Sequence, residues 1–165
     1  MDTTLYKQWI RKACSSVCFI GYLPASGTAA SALVILVLLF IKAKTGLSYG
    51  GVAYWLATLA MIGCSFYFSN HSRELFGRED SSRIVIDEVA GQMITFLLVP
   101  LTLRTLIAGF MIFRFFDIVK PFPIYHMEEL EGGVGVTMDD VAAGIMANAS
   151  LLVILITYHA IKGYL

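Results

Sequence analysis

Apolar stretches alternate with polar connections along the chain, and their lengths are typical of membrane helices. They lie at residues 29–42, 52–68, 84–103, 106–118 and 141–161. A helix needs about 20 mostly apolar residues to cross a bilayer, and tilt or snorkelling polar ends can complete a shorter stretch. The pattern predicts an all-α fold: a polytopic membrane helix bundle of about five transmembrane helices in one domain, residues 1–165.

Residues 1–24 follow a different pattern. Leu5, Trp9, Ala13 and Val17 recur every four residues, with basic residues between them. This spacing is typical of an amphipathic helix at a membrane surface. Basic residues before a short apolar stretch also resemble a signal peptide. We favour a retained interfacial segment, and whether it enters the bilayer stays open.

The composition agrees with a membrane protein and excludes one class of partner. Apolar and aromatic residues make up 58% of the chain and charged residues 15%, against about 45–50% and about 25% in soluble domains. The 12 basic and 12 acidic residues give a net charge of zero. Binding to a phosphate backbone depends on clustered positive charge. We therefore expect the membrane bilayer as a partner, and no nucleic acid.

The basic residues indicate an orientation in the membrane. Five crossings place residues 1–28, 69–83 and 119–140 on one side. Basic residues accumulate on the cytoplasmic side of membrane proteins. With Arg114 at the adjoining helix end included, eight of the 12 fall on this side, namely Lys7, Arg11, Lys12, Arg73, Arg78, Arg83, Arg114 and Lys120. We therefore expect this side to face the cytoplasm.

Two acidic pairs lie at the ends of apolar stretches on the same side. Asp87 and Glu88 begin the third stretch, and Asp139 and Asp140 precede the fifth. Ionisable residues at such positions are candidates for function because charge near the membrane core is costly. A favourable interaction with the helix dipole is the alternative explanation. It accounts for one acid at a helix start more easily than for two adjacent acids that occur twice.

The two acidic pairs are also alike in the residues after them. Both precede Val-Ala and, about one helical turn later, a glycine, Gly91 or Gly144. A glycine on the helix face near the acids allows a neighbouring backbone or a ligand to approach. Each acidic pair is therefore predicted to have room beside it for such an approach.

The crowded carboxylates predict a metal site. Acids gathered at one membrane edge repel each other unless a cation lies among them, and all-oxygen ligation suits Mg²⁺. Histidines and cysteines show no competing metal-ligand spacing. The predicted ligands are Asp87, Glu88, Asp117, Asp139 and Asp140.

The end of the fourth stretch carries three charged residues. Arg114, Asp117 and Lys120 are spaced by three, and Pro121 follows them. They form either a salt-bridged helix end of small energetic value or a site where Arg114 and Lys120 neutralise phosphate oxygens. The spacing leaves both possibilities open.

Two short segments add candidate contacts for an anion. Ser26, Gly27 and Thr28 precede the first stretch, where a helix start with free N–H groups can bind an anion, although an ordinary N-cap explains them equally well. The glycine-rich segment 132–135 could lie over a ligand. It lacks the strand context of a nucleotide-binding loop.

Taken together, these motifs resemble a known family. Asp-Glu-x-x-Gly at 87–91, Phe-Arg-x-x-Asp-x-x-Lys-Pro-x-Pro-Ile at 113–124 and Gly-Gly-x-Gly-x-x-x-Asp-Asp-x-x-Ala-Gly at 132–144 are similar to motifs of phosphatidylglycerophosphatase A, in the same order. Gly-Thr at 27–28 adds to the match. The resemblance implies Mg²⁺-dependent hydrolysis of phosphatidylglycerophosphate to phosphatidylglycerol and phosphate at the cytoplasmic face of a bacterial inner membrane.

The resemblance also implies a role for each candidate residue. The five acids would hold one or two Mg²⁺, and Arg114 and Lys120 would stabilise the phosphoryl charge while a metal-activated water attacks phosphorus. Ser26, Gly27 and Thr28 would contact the substrate, and Glu88 would orient or deprotonate the water. A covalent phospho-aspartate is the alternative route.

A different class of function is a small ion channel or transporter with a metal or anion site. Such a protein places charged residues along a path through the bilayer. Here the candidate charges gather at one end of the predicted helices, so the phosphatase is the favoured hypothesis.

Overall fold

The computed structural model describes residues 3–48, 50–77 and 81–163, and all regular elements in these ranges are helical. Arg78, one of the basic residues counted above, lies outside the described residues. A 3-10 turn at Ile20–Tyr22 follows the first helix. The α-helices are α1 (Thr3–Ser15), α2 (Ser26–Thr45), α3 (Val52–Asn70), α4 (Ser72–Phe76), α5 (Ile86–Thr95), α6 (Leu103–Val119), α7 (Ile124–Glu128) and α8 (Gly133–Gly163). The predicted all-α fold is confirmed.

Three helices of the described chain are long and apolar enough to cross a membrane: α2, α3 and α8. The third predicted stretch differs, because α5 has 10 residues. At 1.5 Å per residue it extends about 15 Å, half of a bilayer core. α6 has 17 residues. The structure thus supports a membrane helix bundle in which α5 is a half-length helix.

The segment that contains α5 nevertheless runs from one end of the bundle to the other. At the start of α2, the Ser26 hydroxyl donates to the Ser82 carbonyl oxygen over 2.9 Å. Beyond the other end of α2, the Leu101 N–H donates to the Ser48 carbonyl oxygen over 2.7 Å. The Lys42 ammonium also donates to the Leu101 carbonyl oxygen. Residues 82–101 therefore follow the length of α2, first as a helix and then as irregular chain.

Side chains of neighbouring helices satisfy the backbone where α5 ends. The Asn148 amide on α8 donates to the carbonyl oxygens of Thr95 at 3.0 Å and Leu97 at 2.7 Å. The Tyr54 hydroxyl on α3 donates to the Met93 carbonyl oxygen at 2.7 Å. Irregular backbone at membrane depth is tolerated only where protein or water satisfies its polar groups. Asn148 and Tyr54 thus permit a helix to stop inside the bundle.

α5 lies among α2, α3, α6 and α8, and it packs most closely against α8. A Cβ atom at Gly91 would lie 2.5 Å from the Asp140 carbonyl oxygen, and one at Gly144 would lie 2.4 Å from the Gly91 carbonyl oxygen. Both separations are too short for any real Cβ contact. The close approach predicted for the two glycines is confirmed, since the helices cross where both lack a side chain.

A second contact, polar in character, joins α3 to α8. The Thr137 hydroxyl lies 2.9 Å from the Ser65 hydroxyl and donates to the Ser69 hydroxyl at 3.3 Å, and all three residues are buried. A Cβ atom at Gly133 would lie 2.2 Å from the Asn70 nitrogen. Hydrogen bonds and small residues of this kind stabilise helix pairs in membranes. Gly133, within the segment 132–135, therefore serves helix packing.

The polar segments predicted on one side of the membrane meet at one end of the bundle. Arg11 on α1 forms an ion pair with Glu74 on α4, with 3.1 Å between nitrogen and oxygen. The Val85 N–H donates to the Ser15 carbonyl oxygen over 3.1 Å. Trp9 on α1 is 59% exposed, as an interfacial helix requires. The interfacial role of residues 1–24 and the cytoplasmic orientation stay predictions.

The glycine crossing can be tested by adding one methyl group. We expect Gly144→Ala to lower the free energy of unfolding by about 1–3 kcal/mol, because the new Cβ atom meets backbone rather than a movable side chain. Thermal unfolding in detergent measures the change. Gly63→Ala on α3 is the matched control, since its Cβ atom would meet nothing within 4 Å. Equal stability of both variants would contradict the tight crossing.

Candidate functional site

The helix crossing brings the two acidic pairs together. Asp87 and Glu88 lie in the first turn of α5, and Asp139 and Asp140 lie in the second turn of α8. One carboxylate oxygen from each of Asp87, Glu88 and Asp140 lies within 4.8 Å of the others. Asp87 and Asp140 are only 3% and 5% exposed. Residues separated by more than 50 positions thus form one compact acidic cluster.

The acidic cluster (Asp87, Glu88 and Asp140) has buried oxygens without partners. Among the described residues, Asp140 Oδ1 and Glu88 Oε2 are buried and accept no hydrogen bond. Asp87 Oδ1 accepts from the Glu88 N–H over 3.0 Å. Burying carboxylates without compensation is costly. A metal ion among these oxygens would offset that cost, so the donor set fits a divalent cation.

The other two predicted acidic ligands are paired with cations. Arg114 forms an ion pair with Asp117 one turn later on α6. The Lys120 ammonium nitrogen lies 2.7 Å from Asp139 Oδ2 and 2.7 Å from Glu128 Oε1. Burial alone lowers the pKa of Lys120, but its hydrogen bonds and ionic contacts with Asp139 and Glu128 outweigh burial and raise that pKa above its ordinary value. Lys120 is therefore cationic at neutral pH.

The acidic cluster and the cation Lys120 line one cavity of about 280 Å³, which we call the acidic cavity. It is large enough for a phosphate group and several waters, each of which takes about 30 Å³ in the liquid. Residues from α5, α6, α7 and α8 and from their connections contribute to its wall. Its charged lining comprises Asp87, Glu88, Asp117, Lys120, Glu128, Asp139 and Asp140.

A second cavity of about 670 Å³ adjoins the first, and we call it the arginine cavity. Four of the five predicted substrate contacts line it, namely Ser26, Gly27, Thr28 and Arg114. Lys120, the fifth, lines the acidic cavity instead. The structure therefore divides the predicted phosphate-binding residues between two neighbouring spaces.

Gly27 shapes the boundary between the two cavities. A Cβ atom there would lie 2.3 Å from Glu88 Oε1 and 3.2 Å from Arg114 Nη1. The missing side chain lets Glu88 and Arg114 occupy the space beside the first turn of α2. Ser26 is engaged elsewhere, because its hydroxyl donates to the Ser82 carbonyl oxygen. Glycine at position 27 is thus explained by close approach as well as by its place at a helix start.

Sequence reasoning missed several residues at the site. Glu128 binds Lys120, but nothing in the sequence distinguishes it from the neighbouring glutamates of its connection. Arg83 lines the arginine cavity, with its guanidinium 4.9 Å from the ring centre of Tyr22. Gln92 is fully buried one turn after Glu88, and its amide has no hydrogen-bond partner among the described residues. A polar residue inside an apolar stretch was the available signal for Gln92.

Comparison with known proteins identifies similar chains. A sequence model of the phosphatidylglycerophosphatase A family matches residues 13–155. A protein of Haemophilus influenzae named phosphatidylglycerophosphatase A is 36% identical over 130 residues, which cover 75% of this chain and 75% of that protein. One of the same name from Escherichia coli is 33% identical over 100 residues, 59% of this chain and 58% of that protein.

A further relative carries a different name. A protein of Bacteroides thetaiotaomicron, "Putative phosphatidylinositol-3-phosphatase", is 41% identical over 131 residues, which cover 76% of this chain and 80% of that protein. No solved structure matches the chain.

The acidic cluster predicts a cation-dependent stability. We expect magnesium chloride or calcium chloride to raise the melting temperature of the purified protein, and a chelator to reverse the rise. At a concentration 100-fold above the dissociation constant the gain is about 2.7 kcal/mol. Asp140→Asn should abolish this gain and be at least as stable as the unchanged protein in chelator, because it removes repulsion. The exposed Glu129→Gln is the control. An undiminished gain in Asp140→Asn would refute the site.

Proposed function

The chain belongs to the phosphatidylglycerophosphatase A family, a family of phosphoric monoester hydrolases, and we propose that it hydrolyses phosphatidylglycerophosphate to phosphatidylglycerol and phosphate. The observation that carries the proposal is the acidic cavity. Two acidic pairs from distant segments and the cation Lys120 line one phosphate-sized space at an end of the bundle. Phosphoryl transfer depends mainly on positioning and charge neutralisation, which this set of residues supplies.

Mg²⁺ is the cofactor that the donor set fits best. Asp87, Glu88 and Asp140 would hold it, and all three offer the hard oxygen ligands that this ion prefers. Asp117 and Asp139 line the same cavity and would join them. When bound, Mg²⁺ polarises phosphoryl oxygens and lowers the pKa of a water ligand.

The remaining roles follow from charge and position. Lys120 stays protonated and would stabilise negative charge on the phosphoryl oxygens. Glu88, whose Oε2 has no described hydrogen-bond partner, would orient the attacking water or accept its proton. The water oxygen bonds to phosphorus, the bond from phosphorus to the glycerol oxygen breaks, and a proton passes to that oxygen. Phosphate and a lipid alcohol result.

The proposed location is the inner membrane of a bacterium, with the site facing the cytoplasm. Most basic residues of the sequence belong to the segments that meet at the end of the bundle where the site lies. A channel or transporter is less well supported, because the acidic cluster occupies one end of α5 and α8 rather than a path along them.

Activity measurements test the proposal directly. We expect the purified protein to release phosphate from phosphatidylglycerophosphate in the presence of Mg²⁺ and to lose this activity in chelator. Asp87→Asn, Asp117→Asn and Asp140→Asn should each lower kcat by about 100-fold or more, because each removes charge from the acidic cavity. Glu129→Gln should retain activity. Turnover near that of the unchanged protein in all three aspartate variants would refute the site.

The orientation is tested by labelling in intact bacterial cells. In a variant with Cys14, Cys18 and Cys64 replaced by alanine, we expect Thr45→Cys to react with a membrane-impermeant thiol reagent. Glu131→Cys, at the other end of the bundle, should react only after the membrane is opened. Both parent residues are exposed, so accessibility within the protein is matched. The reverse pattern would place the site outside the cytoplasm.

A further inference from the structure

The two cavities have walls of different charge. The acidic cavity contains the acidic cluster and would hold a phosphate only together with a cation. The arginine cavity is lined by two cations, Arg83 and Arg114, by one acid, Glu88, and by the first turn of α2. The N-cap of α2 is Ala25, whose side chain makes no hydrogen bond to the N–H groups of that turn. The arginine cavity therefore suits an anion that needs no metal.

Both arginines are positioned by their neighbours. Arg83 lies over the Tyr22 ring, which also lines the arginine cavity. Arg114 is held by Asp117, and its Nε atom is buried without a hydrogen-bond partner in the described ranges. The arginine cavity is thus flanked by one ion-paired guanidinium and by the exposed guanidinium of Arg83, which lies over an aromatic ring.

The acidic cavity and the arginine cavity share part of their lining. Glu88 and Ser82 line the acidic cavity and the arginine cavity alike. A ligand with two anionic groups joined by a short bridge could place one group in each cavity.

The lipids named for the relatives have such a structure. In phosphatidylglycerophosphate, a phosphomonoester and a phosphodiester occupy the two end carbons of glycerol, so three carbons join them. In phosphatidylinositol-3-phosphate, the phosphodiester is on ring carbon 1 and the phosphomonoester on ring carbon 3, so three carbons again join the two groups. The two names, which differ in headgroup, therefore share one spacing of monoester and diester.

We propose that the arginine cavity is a phosphodiester subsite, in which Arg83 and Arg114 bind the diester while the monoester occupies the acidic cavity. The enzyme thereby selects lipids whose phosphomonoester and phosphodiester are joined by three carbons. This inference rests on the proposed phosphatase function and extends it to a substrate class. Arg83 is the specificity-determining residue that the sequence motifs do not include.

A substrate series tests the spacing. The full-length protein, in mixed micelles with Mg²⁺, is given phosphatidylglycerophosphate, phosphatidylinositol-3-phosphate, phosphatidylinositol-4-phosphate or phosphatidic acid, and phosphate release is measured. The two inositol lipids have the same atoms and charge. In the 4-phosphate, however, the phosphomonoester and the phosphodiester are on opposite carbons of the ring. We expect kcat/KM for the 3-phosphate to exceed that for the 4-phosphate by about tenfold or more, because positioning decides the rate. Phosphatidic acid, which lacks the phosphodiester, should be a poor substrate.

A matched pair of variants tests the residue. Arg83→Gln should lower kcat/KM for phosphatidylglycerophosphate by about tenfold, chiefly through KM, as expected for loss of a charged hydrogen bond. The loss on phosphatidic acid should be several-fold smaller, because that lipid has no diester for Arg83 to bind. Arg104→Gln, which removes a cation at the other end of the bundle, is the control.

The outcomes separate this inference from the proposed function. Absence of phosphate release from all four lipids by the unchanged protein would refute the phosphatase proposal. Release from phosphatidylglycerophosphate, combined with equal rates on the two inositol lipids, would leave the phosphatase intact and overturn the spacing rule. An equal loss in Arg83→Gln on phosphatidylglycerophosphate and phosphatidic acid would overturn the diester role of Arg83.

Discussion

The crossing of α5 and α8 is the constraint on which the rest of the structure depends. Gly91 and Gly144 allow the two backbones to touch, and each follows an acidic pair by about one turn. The same contact that packs the helices therefore forces carboxylates of both pairs together. Packing and repulsion are coupled at this point. A cation bound among these oxygens would relieve the repulsion without loosening the packing, and the stability of the bundle would then depend on the occupancy of the site.

Much of the site could be predicted because its residues obey a local rule. Two acidic pairs, each with Val-Ala and glycine after it, resemble each other within the sequence, and hydropathy places both at one membrane edge. No knowledge of distant contacts is needed for that step. The predicted convergence of the two pairs agrees with the geometry, because carboxylate oxygens of Asp87, Glu88 and Asp140 lie within 4.8 Å of one another.

Other features depend on contacts that no local pattern records. Apolar residues continue past Thr95 as far as Val99, so the hydropathy pattern does not show that α5 ends at Thr95. The helix can end there because two distant side chains, Asn148 and Tyr54, donate hydrogen bonds to carbonyl oxygens of its last turn. The placement of Lys120 and Arg114 in different cavities also depends on distant contacts. They lie six residues apart at one helix end, but Lys120 pairs with Asp139 and Glu128 in the acidic cavity.

The length of α8 has a consequence for how a lipid meets the site. At 31 residues, α8 exceeds by about 11 the 20 or so that fill a hydrocarbon core. Its excess turns include Asp139 and Asp140 near its beginning, while its apolar part comes after them. A bilayer centred on that apolar part brings its headgroup layer level with the acids. In the proposed reaction, a phospholipid would present its phosphate at the depth where it already lies in the bilayer. Its acyl chains would stay among neighbouring lipids, so the lipid would not have to be extracted into water.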